Sequence, residues 1–215
     1  GSRDILVLLD TSESMNAQNP APNRLERARL KIESLMDLCP ADRFGLIAFA
    51  GDAAMECPLT LDHNYLRTVL RSIDTDTMTE EGTDIAAALK EADSTLEEDI
   101  AKSGEETRYS RAILLITDGE QVSGDAIKAA REMGRYAGIF VMGIGDPEGA
   151  EVTYPEWMKR YAPTQGSREA HLSKLDEKTL MQVATDSGGV YVRSRADNAD
   201  IERIVQELEA MRAHA

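Results

Sequence analysis

The stretch Asp4-Ile5-Leu6-Val7-Leu8-Leu9-Asp10-Thr11-Ser12-Glu13-Ser14 decides how the rest of this chain is read. A short apolar run, Asp4–Asp10, reads as a buried strand. It ends in a carboxylate and two hydroxyls at alternate positions, Asp10, Ser12 and Ser14. Further along, β-branched or Leu-rich runs keep alternating with longer amphipathic stretches, the pattern of βαβ units and a mostly parallel sheet.

After a loop with Pro20 and Pro22, the apolar residues Leu25, Ala28, Ile32, Leu35 and Met36 fall at the three-and-four spacing of one helix face. Phe44–Ala50 and Met55–Leu59 are strand-like and separated by Gly51-Asp52, a hairpin signal that predicts one antiparallel edge strand. Helical pattern covers Tyr65–Ile73 and, beyond the loop Asp74–Gly82, Ile85–Leu96. Ala112–Thr117 is the cleanest buried strand and ends in Asp118-Gly119. Ser123 or Asp125 can cap the next helix, which runs to about Tyr136. A strand at Ile139–Ile144, a helix from Glu177 to Thr185, a strand at Gly189–Val192 and a final helix through Ile201, Ile204, Val205, Leu208 and Met211 follow. The predicted architecture is a doubly wound, Rossmann-like α/β fold: six strands, mostly parallel, one antiparallel edge strand, helices on both faces. It spans 3–215 as one domain, Gly1-Ser2 reading as the remnant of an expression tag. Residues 149–172, with Pro155, Pro163 and the single Trp157, read as an inserted irregular hairpin or lobe.

Composition narrows the functional classes. Of 215 residues, 39 are Asp or Glu and 24 are Lys or Arg, a formal charge of −15. That balance argues against nucleic acid and anionic membrane surfaces, whose phosphates require clustered cations. The longest apolar runs are far too short to span a bilayer. Cys39 and Cys57 form no C-x-x-C pair and no zinc spacing with His63, His171 and His214. A disulfide and two buried thiols both remain open for them. Gly143-Ile144-Gly145-Asp146-Pro147-Glu148-Gly149 has its third glycine one place too late for a dinucleotide fingerprint, and no helix opens there. A turn is the simpler reading.

In such a sheet ligands bind beyond the carboxyl ends of the strands. Three polar clusters fall there: Asp10 to Ser14, the loop Gly82-Thr83-Asp84, and Thr117-Asp118-Gly119. Doubly wound order places the first and fourth strands side by side, so Asp10 and Asp118 become neighbours. Two carboxylates held close repel unless a proton or cation lies between them. Ser12, Ser14 and Thr83 add neutral oxygens. An all-oxygen set with no His or Cys suits a hard divalent cation, Mg²⁺, Mn²⁺ or Ca²⁺. By itself D-x-S-x-S is also a strand-end turn with a helix-capping serine. The conjunction with Thr83 and Asp118 is far more specific. Beside the site, Asp84 and Glu120 read as a helix N-cap or solvated acids, and Glu13 as a loop charge. Trp157 and Tyr161 suit either an exposed contact surface or a lobe packed on its own aromatics.

These motifs together resemble the von Willebrand factor A domain, in which the five matching positions, Asp10, Ser12, Ser14, Thr83 and Asp118, form the metal-ion-dependent adhesion site. Asn23-Arg24-Leu25-Glu26-Arg27-Ala28, Gly45–Gly51, Cys57-Pro58-Leu59-Thr60, Gly82-Thr83-Asp84-Ile85 and Gly188-Gly189-Val190-Tyr191 are similar to the bacterial aerotolerance (Bat) subfamily. The resemblance implies a protein-interaction module rather than an enzyme: neutral ligands leave the cation electrophilic, and a partner's Asp or Glu fills its open position. It also implies a bacterial inner-membrane parent with this domain on the periplasmic side. Implied partners are other Bat proteins or a MoxR-type AAA+ ATPase, with no small-molecule substrate. The competing reading is a Mg²⁺-dependent phosphatase or phosphotransferase with Asp10 as nucleophile. Enzymes of that kind carry D-x-D, and Ser12 stands here in place of the second carboxylate.

Overall fold

The computed structural model describes residues 2–104, 110–120, 122, 124–151 and 172–213. In chain order they form β1 (Asp4–Asp10), a 3₁₀ turn (Glu13–Asn16), α1 (Arg24–Leu38), β2 (Arg43–Phe49), β3 (Ala53–Thr60), α2 (His63–Ser72), α3 (Ile85–Ser103) and β4 (Arg111–Thr117). Then come α4 (Gly124–Met133), β5 (Gly138–Gly143), β6 (Ala150–Glu151), β7 (Leu172–Ser173), α5 (Glu177–Asp186), β8 (Val190–Arg193) and α6 (Ala199–Ala213). The main sheet has six strands in the order β3-β2-β1-β4-β5-β8. All pairings are parallel except that of β2 with β3, the antiparallel edge expected from Gly51-Asp52. Because the chain leaves β1 toward β2 and returns on its other side as β4, the topological switch point lies between β1 and β4.

Strand geometry explains why β1 is apolar throughout. Successive side chains point to opposite faces. Ile5, Val7 and Leu9 pack with residues of α1, α2 and α6, including Ile32, Leu66 and Ile204. Leu6 and Leu8 pack with α3, α4 and α5, including Leu89, Ala130 and Leu180. With both faces covered, every position must be hydrophobic. Each such side chain contributes about 1.5–3 kcal/mol of burial. The face predicted for α1 is buried at Leu25, Ala28, Ile32, Leu35 and Met36.

Helix starts follow side-chain chemistry. The Asn23 carboxamide oxygen accepts the Glu26 N–H at 2.7 Å to open α1, and Asp62 does the same for Tyr65 at α2. Asp84 accepts the Ala87 N–H at 2.9 Å and caps α3, one of the two roles the sequence allowed it. The fourth helix differs from expectation. It ends at Met133 rather than Tyr136, and Asp125 falls in its first turn instead of capping it. A Cβ on Gly134 would lie 2.4 Å from the Ser187 carbonyl oxygen, so α4 meets the end of α5 through a bare glycine, a poor helix continuer. Ser123 lies outside the described residues.

The segment 149–172 begins and ends in a two-residue antiparallel pairing of β6 with β7. Pro155, Trp157, Tyr161, Pro163 and His171 lie outside the described residues. Asp146 organises the preceding turn by accepting the Glu148 N–H at 2.9 Å, as the turn reading of the glycine-rich run required. Cys39 and Cys57 are buried free thiols.

Buried charge at the amino edge of the sheet is closely paired. Asp42 receives the Arg3 backbone N–H and Nε, each at 2.9 Å, while Arg3 Nη1 reaches Glu209 of α6 at 3.1 Å. Arg43 bridges Asp4 and Asp99. Between α1 and α6, Lys31 Nζ lies 2.8 Å from Asp200 and donates to the Asp197 carbonyl at 2.7 Å. His63 hydrogen-bonds the Asp42 carbonyl at 2.7 Å and meets Phe44 edge-on, a packing role.

Candidate metal centre

Asp10 closes β1 and Thr117 closes β4; in parallel register Leu9 faces Ile116, so the two strand ends are level. Asp10 is fully buried. Its Oδ1 accepts the Ser12 N–H at 2.9 Å and its Oδ2 accepts the Thr117 hydroxyl at 2.7 Å. Asp118 follows directly and is 1 % exposed. Its Oδ2 accepts from the Ser14 hydroxyl at 2.5 Å and from Arg24 Nη1 at 3.1 Å, while its Oδ1 accepts the Glu120 N–H at 3.3 Å. Ser12 and Ser14 share a hydroxyl–hydroxyl contact of 3.2 Å. Four of the five predicted side chains thus lie in one connected cluster.

The fifth, Thr83, comes from the loop before α3 and lines the same cleft as Ser12 and Ser14. Its loop is held against the β2–β3 turn by two backbone bonds, Gly51 N–H to Glu80 at 2.9 Å and Asp84 N–H to Ala50 at 2.6 Å. A Cβ on Gly51 would lie 2.2 Å from the Glu81 carbonyl oxygen, so only glycine permits this approach. The first loop is pinned in turn. Thr11 donates through both N–H and hydroxyl to the Phe49 carbonyl, at 2.8 and 3.1 Å, and the Asn16 amide donates to the Thr75 hydroxyl at 2.6 Å. Rigid support of this kind keeps oxygens in place for a ligand.

Electrostatics leave the cluster incomplete. Burial, with Asp118 close by, pushes the Asp10 carboxyl up from its ordinary range. Burial also raises Asp118, opposed by the Ser14 hydrogen bond and the Arg24 charge. Two buried carboxylates face one guanidinium, so negative charge is left over, and the nearby hydroxyls are the donors a hard cation accepts. The donor set therefore fits a divalent ion. Among the described residues no three His, Cys, Asp or Glu side chains converge to hold a metal, so here the hydroxyls of Ser12, Ser14 and Thr83 would complete the set beside two carboxylates.

The cleft above has a volume of about 800 Å³. Glu13, Asp76, Glu80, Glu81 and Glu120 line it, and among the described residues no Lys, Arg or His does. Sequence reasoning found the five oxygens but not the residues behind them. Thr117 was visible only as part of T-D-G. Arg24 was noted only within the Asn23–Ala28 stretch of the resemblance and given no role, because its contact with Asp118 spans 94 positions.

Comparison with known proteins identifies the family. A family model described as the von Willebrand factor type A domain matches residues 5–121, which include all five candidate ligands. A solved structure of BatB from Bacteroides thetaiotaomicron is similar over 99% of this chain and 100% of that one, with 32% identity and a TM-score of 0.82. An aerotolerance-related membrane protein from Bacteroides fragilis is 31% identical over 98% of this chain and 100% of that one, with a TM-score of 0.78. A UPF0353 protein of Mycobacterium avium is 28% identical over 214 residues, covering 97% of this chain and 58% of the relative. The chain thus spans little more than half the length of the curated relatives it matches.

Proposed function

Since the chain belongs to the von Willebrand factor type A family, in its bacterial aerotolerance-related branch, we propose that it is a metal-dependent protein-interaction module that captures a partner's Asp or Glu side chain. One observation carries the reading: Asp10, Ser12, Ser14 and Asp118 are joined at the switch point beneath a cleft that Thr83 also lines, with two buried carboxylates and one guanidinium. Asp10, Ser12, Ser14, Thr83 and Asp118 would hold Mg²⁺ or Mn²⁺, the ion supplying an electrophilic point for an incoming carboxylate. Ser14 and Thr83 are partly exposed to the cleft, whereas Asp10 and Asp118 lie beneath it. Burial also speaks against phosphoryl transfer through Asp10, because both its oxygens are engaged and neither reaches solvent.

The acidic rim refines the partner. A carboxylate approaching Glu13, Glu80 and Glu81 is repelled unless neighbouring cations offset them. The fitting partner is therefore a single Asp or Glu set among Lys or Arg. Binding of a Lys-Glu-Lys peptide in Mn²⁺, followed by fluorescence anisotropy, tests this. Chelator, Glu→Gln in the peptide and Asp118→Ala in the protein should each abolish it, and equal binding in chelator would overturn the metal bridge. Among the described residues no helix is long and apolar enough to cross a membrane. We further propose a membrane-anchored parent with this domain facing the periplasm; likeness to an aerotolerance-related membrane protein supports the anchoring.

A further inference from the structure

Arg24 is the first residue of α1 and is completely buried. Its Nε donates to the Asn19 carbonyl at 2.9 Å and its Nη1 to Asp118 Oδ2 at 3.1 Å. Nη2 is buried without a partner, facing Gly145, whose φ is +135° and whose added Cβ would lie 3.6 Å from it. Two other buried cations, Arg3 and Lys31, are more fully matched. Arg3 spends its fork on Asp42 and Glu209, and Lys31 is matched one to one with Asp200. Guanidinium and carboxylate ordinarily pair through two parallel bonds. Arg24 instead grips a single oxygen, the one that Ser14 also holds, and leaves a donor idle at some cost.

Charge accounting shows what such an arrangement can do. Asp10 and Asp118 carry two negative charges and Arg24 one positive, so a bound dication leaves the site with a net charge of about +1. Without Arg24 the loaded site would be neutral, facing an acidic rim. The same guanidinium repels the ion. We propose that Arg24 sets the charge of the site: it loosens the hold on the metal and keeps the loaded site positive, so that it attracts a carboxylate across the acidic cleft. This rests on the reading that a dication occupies the five-oxygen site. A plain strut tying the Asn19 loop to β4 would instead help or harm both binding steps together.

The two roles separate by experiment. Mn²⁺ affinity is measured by calorimetry, and Mn²⁺-dependent affinity for the Lys-Glu-Lys peptide by anisotropy, on wild type, Arg24→Met and Arg24→Lys. Arg24→Met should bind Mn²⁺ tighter by on the order of tenfold and the peptide weaker by a similar factor. Arg24→Lys, which restores the charge, should move both values back toward wild type. Parallel weakening of both affinities, or no change in either, would overturn the proposal while leaving the metal site standing. A wild type that takes up no Mn²⁺ would remove the functional reading and this one with it. Arg24→Gln, neutral but still able to donate, repeats the test if the Met variant does not fold, and unfolding of both neutral variants would assign Arg24 the strut role and sink the proposal.

Discussion

The two edges of the sheet bury charge in opposite ways. At the amino edge Asp42, 4 % exposed, has both oxygens filled by Arg3, and Arg43 lies between Asp4 and Asp99. At the carboxyl edge Asp10 and Asp118, equally buried, receive mostly neutral donors and share one guanidinium. A paired buried charge holds elements together; an unbalanced one waits for something else. Burial alone does not separate the two edges; the donors that fill the buried carboxylate do, since Arg3 fills both oxygens of Asp42 whereas Asp10 receives only a backbone N–H and a hydroxyl.

Removing a partner at the amino edge should produce the largest effect. Arg3→Ala strands Asp42 in the interior and should cost about 3–5 kcal/mol in urea denaturation. That loss should be the same with and without Mg²⁺. A metal-dependent difference would break the contrast between the edges.

At the carboxyl edge the expected effect belongs to the ion. Mg²⁺ or Mn²⁺ at about a hundred times its dissociation constant should stabilise wild type by roughly 2.7 kcal/mol. Thr83→Ala should lose that gain yet keep metal-free stability within about 0.5 kcal/mol of wild type, since Thr83 is only partly buried. Identical melting of wild type in saturating metal and in chelator would contradict the site.

A smaller change of opposite sign should follow Asp10→Asn. Removing one of two repelling buried charges should leave the metal-free protein unchanged or about 1 kcal/mol more stable, while ending its response to metal. Destabilisation by several kcal/mol in chelator would mean that the carboxylate is structurally satisfied as it stands. The smallest effect is expected at Arg71, whose 3.3 Å contact with Glu33 is largely solvent-exposed. Arg71→Ala should fall within about 0.5 kcal/mol of wild type, a baseline for charges that neither edge uses.

How much of this was legible in the chain follows from the range of each interaction. The β1 run, the periodic face of α1 and the Gly51-Asp52 hairpin are local patterns, and each reads correctly because burial on one or two faces dictates residue type. Asp10, Ser12 and Ser14 are legible as a motif for the same reason, being alternate residues at one strand end. The end of α4 was missed because its cause, the Gly134 approach to Ser187, is a tertiary contact between residues 53 positions apart. The role of Arg24 was missed for a related reason: its stretch Asn23–Ala28 was read only as a family likeness, and nothing in its neighbours betrays Asp118, 94 positions away. The acidic rim lies between these cases. Glu80 and Glu81 are plain in the sequence, but only the fold of the Thr83 loop turns them toward Glu13 across one cleft.

The ion pair between Arg3 and Glu209 has a mechanical meaning as well. It fastens the start of β1 to the last turns of α6, so these two elements are clamped together a full strand length from Ser12. Force that draws the start of β1 away from α6 therefore strains the base of the sheet before it reaches the loop of Ser12 and Ser14.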